Sequence, residues 1–169
     1  MAEPAPFEFD VTKLDFSQCV ADIEMIRKVN PHRYDFEMLS GVVLIDPTKH
    51  VIVGYKDTTE NDFWVRGHMP GFPLMPGVLM LEAAAQLISY YATAQHIVSG
   101  RLMGLGSIDE ARFHRRVVPG ERLVLVGRGI KVTRRLNRFQ CLGFVNGEKT
   151  FEAVITGITL GDRKEMTGA

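Results

Sequence analysis

Cysteine is nearly absent from this chain: Cys19 and Cys141 are the only two in 169 residues. Two thiols cannot build a disulfide framework or a four-thiolate zinc centre, so the reducing cytosol is the expected home. Long apolar runs are missing as well. The longest, Val78 to Leu87, is broken by Glu82 and Gln86 and is too short to cross a bilayer, so no membrane span is expected. No basic end followed by an apolar stretch opens the chain, so no secretory signal is expected. Net charge is absent too, at a formal value of +0, which argues against a dedicated nucleic-acid binder. Neither a Gly-x-Gly-x-x-Gly nor a Walker pattern occurs, so a nucleotide cofactor is unsupported. Ser107 lacks the context of a nucleophile elbow, and no cluster has metal-ligand spacing.

Apolar residues are not scarce. They make up 46% of the chain against 24% charged residues, which excludes disorder as the dominant state and gives one domain, 1–169, with a sizeable core. Charge is uneven along it. Residues 1–24 hold six acids and one base, while residues 112–138 hold nine Arg or Lys and only Glu121 as an acid. That asymmetry suggests either solvated strand faces or a docking surface for an acidic partner.

The first sixteen or so residues read as an extended arm, within an N-terminal extension of residues 1–20. Residues 17–29 have helical spacing, stopped by Asn30-Pro31. Gly41–Asp46 and Val51–Tyr55 look like a hairpin. Between 67 and 77, Gly67, Pro70, Gly71, Pro73, Pro76 and Gly77 exclude any regular element and predict a loop of fixed shape. A helix then runs from about Gly77 to Gln95, apolar nearly all round, so something must wrap it. The wrapping material follows as β-type runs over Leu102–Phe113, Arg122–Val132, Phe139–Val145 and Lys149–Leu160, with Asn146-Gly147 as a hairpin turn. A C-terminal tail is expected over 161–169. The fold class is α+β: one long central helix inside a curved antiparallel sheet of five to seven strands.

Five histidines are present, and His68 stands apart because it lies in the rigid loop, as a general base must. Glu82 is the second outlier. A carboxylate on an apolar helix is either buried against a sheet arginine, such as Arg112 or Arg116, or faces a cavity. Burial disfavours its charged form, and Gln86, one turn on, can hold its rotamer. A neutral imidazole and a protonated carboxyl are the equipment for removing water from a 3-hydroxy thioester. Free N–H groups at the helix start, with Gly77 allowing close approach, would stabilise the enolate-like oxygen.

The segment GHMPGFPLMPGVLMLEAAAQ over 67–86 resembles the signature of the 3-hydroxyacyl-[acyl-carrier-protein] dehydratases, the FabZ type of the hotdog-fold thioester dehydratases. Pro31-His-Arg-Tyr34, Ile108–Phe113 with Val118-Pro-Gly-Glu121, Thr133-Arg-Arg135 and Val145-Asn-Gly-Glu148 also fit. The resemblance implies a hotdog fold and conversion of (3R)-3-hydroxyacyl to trans-2-enoyl chains in fatty acid or related lipid synthesis. It implies His68 as base, Glu82 as acid, Gly77 as oxyanion donor and Gln86 as the amide that positions the acid. It also implies a homodimer with shared active sites, often a trimer of dimers, and no cofactor beyond the phosphopantetheine of an acyl carrier protein. That carrier is acidic, so Arg112, Arg115, Arg116, Arg134, Arg135 and Arg138 are docking candidates, with which the acidic arm could compete. Met69, Phe72, Asp35, Ser40 and Arg116 depart from the family's usual residues. His32-Arg33-Tyr34 either packs or shapes the acyl tunnel. Two other readings share the fold, an acyl-thioester hydrolase and a non-catalytic acyl-thioester binder.

Overall fold

A computed structural model describes residues 7–162. Its regular elements are α1 (Ile23–Val29), β1 (Gly41–Asp46), β2 (Val51–Asp57), α2 (Gly77–Ala94), β3 (Arg101–Phe113), β4 (Arg122–Val132), β5 (Leu136–Val145) and β6 (Glu148–Asp162). The six strands form one antiparallel sheet in the order β1-β2-β4-β5-β6-β3. The turns follow from their residues. Asn146 and Gly147 both take positive φ, as the tight β5–β6 turn requires, and Gly120 at φ 88° closes the turn after Pro119.

The sheet curls round α2, the hotdog arrangement. Met80, Leu81, Ala83, Ala84, Leu87 and Ile88 of the helix pack with Ile52, Leu123, Leu125, Phe139, Phe151 and Ile155 of the sheet. Ten of the eighteen helical residues are buried, so the sheet covers most of the largely apolar helix, leaving Val78 exposed and Glu82, Ala85 and Ser89 beside a cavity. The central strands are apolar on both faces. Leu123 and Leu125 point to the helix, whereas Val124 and Val126 point to the far side, where they join Val51, Val53, Leu142 and Phe144.

The amino-terminal arm covers that far side. Phe7, Phe9, Val11, Leu14 and Phe16 pack onto it, with the Arg128 guanidinium over Phe7 and the Arg122 guanidinium over Phe16. The arm is therefore not simply extended: Val11–Lys13 form a 3-10 turn capped by Asp10. Its aromatic rings meet the basic strand residues, while Asp10 and Asp15 accept from Thr12 and Ser17 in their own turns. Replacing Phe16 by Ala, which also loses its edge contact with Tyr55, should cost about 1–2 kcal/mol in urea unfolding and leave turnover unchanged.

Several boundaries differ from the sequence expectation: β2 runs on to Asp57, and β5 begins at Leu136 rather than Phe139. The first helix starts at Ile23, not Ser17, because the Asp22 side chain caps the Met25 amide while Ala21 is tied to Val42 as a β-bridge. The expected tail begins later, since Gly161 and Asp162 complete β6; residues 163–169, like 1–6 of the arm, lie outside the described residues. Among the described residues no helix is long and apolar enough to cross a membrane.

Candidate active site

His68 sits in a loop whose shape is fixed by reciprocal bonds. Its carbonyl accepts from the Leu74 amide at 2.9 Å, and its own amide donates to Trp64 at 2.8 Å. Met69 and Phe72 bond to each other across the turn, with Gly71 at φ 76°, and Met75 bonds to Val117. The imidazole is half-buried, and Nδ1 lies 2.8 Å from the Leu74 carbonyl. A carbonyl can only accept, so Nδ1 carries the proton of the neutral ring and Nε2 keeps its lone pair. The loop thus presents a base of fixed tautomer and direction.

Helix α2 begins directly after this loop. Leu79 and Met80 donate to the Pro76 carbonyl, so Gly77 and Val78 supply the first amides without a partner among the described residues. The room beside Gly77 is taken by Phe113, whose ring comes within 2.8 Å of where a Cβ would stand. Glycine is needed here to admit that ring; open space for a substrate is not what it leaves. Gly77, Val78, Phe113, His114, Arg115 and Arg116 border an open cleft of about 510 Å³.

Glu82 is on the next turn and opens on a different cavity, of about 210 Å³, floored by Ile88, Met103, Leu105 and Ile155. Among the described residues no arginine reaches it, and Arg112 and Arg116 lie by Glu152 and Phe72, which overturns the buried-pair alternative. Its partners are Gln86, whose Nε2 donates to Oε1 at 2.8 Å, and His32, whose Nε2 lies 3.7 Å from the same oxygen. Gln86 is itself locked. Nε2 also donates to the Phe36 carbonyl at 2.9 Å, and Oε1 accepts from the Met38 amide at 3.1 Å. His68 does not line this cavity.

The six arginine candidates are scattered likewise. Arg115 is held by Glu121 and Glu148 and Arg116 lies over Phe72, both near the start of α2, whereas Arg112 is 3.9 Å from Glu152 and lines a cavity on the arm side of the sheet with Phe7 and Gln140. The carbonyls of Arg134 and Arg135 accept from Thr159 at the other end of the sheet. Phe113 pairs with Phe151 and Gly104 with Ile158, a strand distance of about 24 Å between the two groups. Arg138 lies between them, 3.8 Å from Asp109. Spacing alone did not single out His32 or Phe113; for His32 the Pro31-His-Arg-Tyr34 string was the available signal, and packing and cavity-lining both stood open.

Known proteins resemble the chain in sequence and in fold. Residues 30–154 match the family model described as FabA-like domain. A 3-hydroxyacyl-[acyl-carrier-protein] dehydratase FabZ of Bacillus cereus is 37% identical over 144 residues, 85% of this chain and 99% of that protein. One from Clostridium acetobutylicum is 42% identical over 134 residues, 79% and 94% of the two chains. Among solved structures, the dehydratase heterocomplex ApeI:P from Xenorhabdus doucetiae has a TM-score of 0.69 at 12% identity, covering 85% of this chain and 95% of its own. A hypothetical thioesterase from Streptococcus pneumoniae has a TM-score of 0.53 at 10% identity, covering 72% and 86%. The two structures speak to the fold alone.

Proposed function

This chain belongs to the FabA-like family, with the FabZ-type 3-hydroxyacyl-[acyl-carrier-protein] dehydratases, and on that premise we propose that it removes water through His68 and Glu82. His68 Nε2 takes a proton from C2 of the acyl chain. The electron pair moves to form the C2–C3 double bond, and the C3 hydroxyl leaves as water with a proton from Glu82. Negative charge on the thioester oxygen is met by the Gly77 and Val78 amides. Carbon undergoes no net oxidation or reduction in this step, so no electron carrier is needed.

The observation that carries the reading is the separation of the two residues together with the exposed edge strand. β3 ends the sheet, is thirteen residues long, and shows Leu105, Ile108 and Phe113 to solvent. Such an edge is a template for a second copy. Antiparallel pairing of two β3 edges lays the Met103–Leu105 end of one protomer, beside Glu82, against the Phe113 end of the other, which touches Gly77 just after the His68 loop. A homodimer in which each site takes its base from one chain and its acid from the other follows, with further assembly to a trimer of dimers. The chain acts as one hotdog domain. Its substrate rides on the phosphopantetheine of an acyl carrier protein, which docks near Arg115 and Arg116 at the cleft by the helix start.

Product analysis tests the chemistry. With a 3-hydroxyacyl carrier substrate, enoyl absorbance should rise with no release of free thiol. Thiol release would favour the hydrolase instead, and substrate binding without turnover would favour the acyl binder.

A further inference from the structure

We propose that His32 is a positioning residue for Glu82, donating from Nε2 to carboxyl oxygen Oε1 so that Oε2 is the oxygen that delivers the proton. This rests on the reading of Glu82 as the acid. Oε1 is the oxygen that both neighbours address, Gln86 at 2.8 Å and His32 at 3.7 Å. The Gln86 amide nitrogen can only donate, so a proton on Oε1 would face it with no lone pair to receive it. The acid's proton therefore belongs on Oε2.

The ring of His32 is oriented to match. Nδ1 is buried with no partner among the described residues, while Nε2 faces the carboxyl group. In the neutral ring the proton is better placed on Nε2, where a carboxylate accepts it, than on Nδ1, where nothing does. Burial pushes the imidazole below its ordinary value against the opposing pull of Glu82, and nearby Arg33 pushes the same way as burial, so the ring is neutral at neutral pH. The backbone around it is pinned: the Arg33 guanidinium donates to the carbonyls of Arg27, Asn30 and His32, and the Asn30 side chain donates to the Gln86 carbonyl. A shortening of about 0.8 Å would bring Nε2 to hydrogen-bond distance, the kind of tightening substrate binding supplies.

Within the chain, Arg33 acts on His32, and Arg27 and Glu37 border a smaller cavity on the other side of the His32 ring. Of the residues lining the cavity on which Glu82 opens, only His32 and Glu82 titrate. In the dimer proposed above, the titratable and charged groups brought against them are His68 and, at the Phe113 end, His114, Arg115 and Arg116 of the other protomer. A donor on Oε1 stabilises the carboxylate that remains once the proton has left. Its removal should slow protonation of the leaving hydroxyl and move the high-pH limb of kcat upward.

Two amides isolate this effect. Asn places its nitrogen where Nδ1 stands and Gln places it where Nε2 stands, so both keep a polar side chain but only Gln can reach Oε1. In the full-length enzyme with a 3-hydroxyacyl carrier substrate, His32→Asn should lower kcat about 10-fold or more with KM within about twofold, and shift the high-pH limb up by about half a unit to one unit. His32→Gln should stay within about threefold of the parent, with its limb unmoved. Equal loss in both variants, or parent-like kcat and pH profile in His32→Asn, overturns the proposal if Glu82→Gln is inactive in the same assay. An active Glu82→Gln overturns the assignment of Glu82 itself and this proposal with it.

Discussion

Mixing His68→Ala with Glu82→Ala should restore about a quarter of the parent turnover once their subunits re-pair. Each variant alone should lose about a thousandfold or more in kcat, the scale of a missing acid or base. The recovery follows from where the fold puts the two side chains. Glu82 opens on a cavity bounded by the start of β3, and His68 lies outside it, in the loop before the helix. In a mixed dimer one site receives both intact residues and the other receives neither. Random re-pairing makes half the dimers mixed, each with one working site of two. Co-expression or mild denaturant exchange, followed by a rate measurement at matched protein concentration, checks it. If both residues of a site came from one chain, mixing would restore nothing.

Gln86→Leu should lose about 100-fold in kcat and about 3 kcal/mol in stability together. Gln86 is 3% exposed and makes three bonds, to the Met38 amide, the Phe36 carbonyl and Glu82 Oε1. Leucine keeps much of the volume and satisfies none of them. The Met38 residue is 2% exposed, so its amide is left buried without an acceptor, at roughly 1–3 kcal/mol. Glu82 is then free to leave the one rotamer that aims it into its cavity. Thermal melts and steady-state rates on one preparation separate the two losses, and an unchanged kcat in a destabilised protein would remove Gln86 from the positioning role.

Much of the architecture was legible because it is local. The Asn146-Gly147 turn, the Pro- and Gly-rich loop ahead of α2 and the apolar helix all express backbone sterics and short-range periodicity, and they appear where the sequence put them. The start of α1 was misplaced because Val20 and Ala21 are spaced like helix residues, yet their amides bond to Val42, some twenty residues on. The arm was read as extended and acidic because its aromatic residues have no visible purpose until the far face of the sheet is seen to be apolar. His32 is 50 residues from Glu82, beyond the reach of any helical or strand spacing that contains it.

Residue order by itself determined the elements, the rigid placement of His68 and the oddity of Glu82 on a greasy helix. Those features depend on neighbours a few positions apart, whose dihedral limits and spacing are written in the chain. Only the tertiary structure decided that Glu82 meets His32 rather than an arginine, that Phe113 claims the space beside Gly77, and that His68 lies outside the cavity on which Glu82 opens. Those outcomes depend on how far the sheet curls and which edge it leaves bare, a balance struck among side chains remote in sequence and close only once the core has packed.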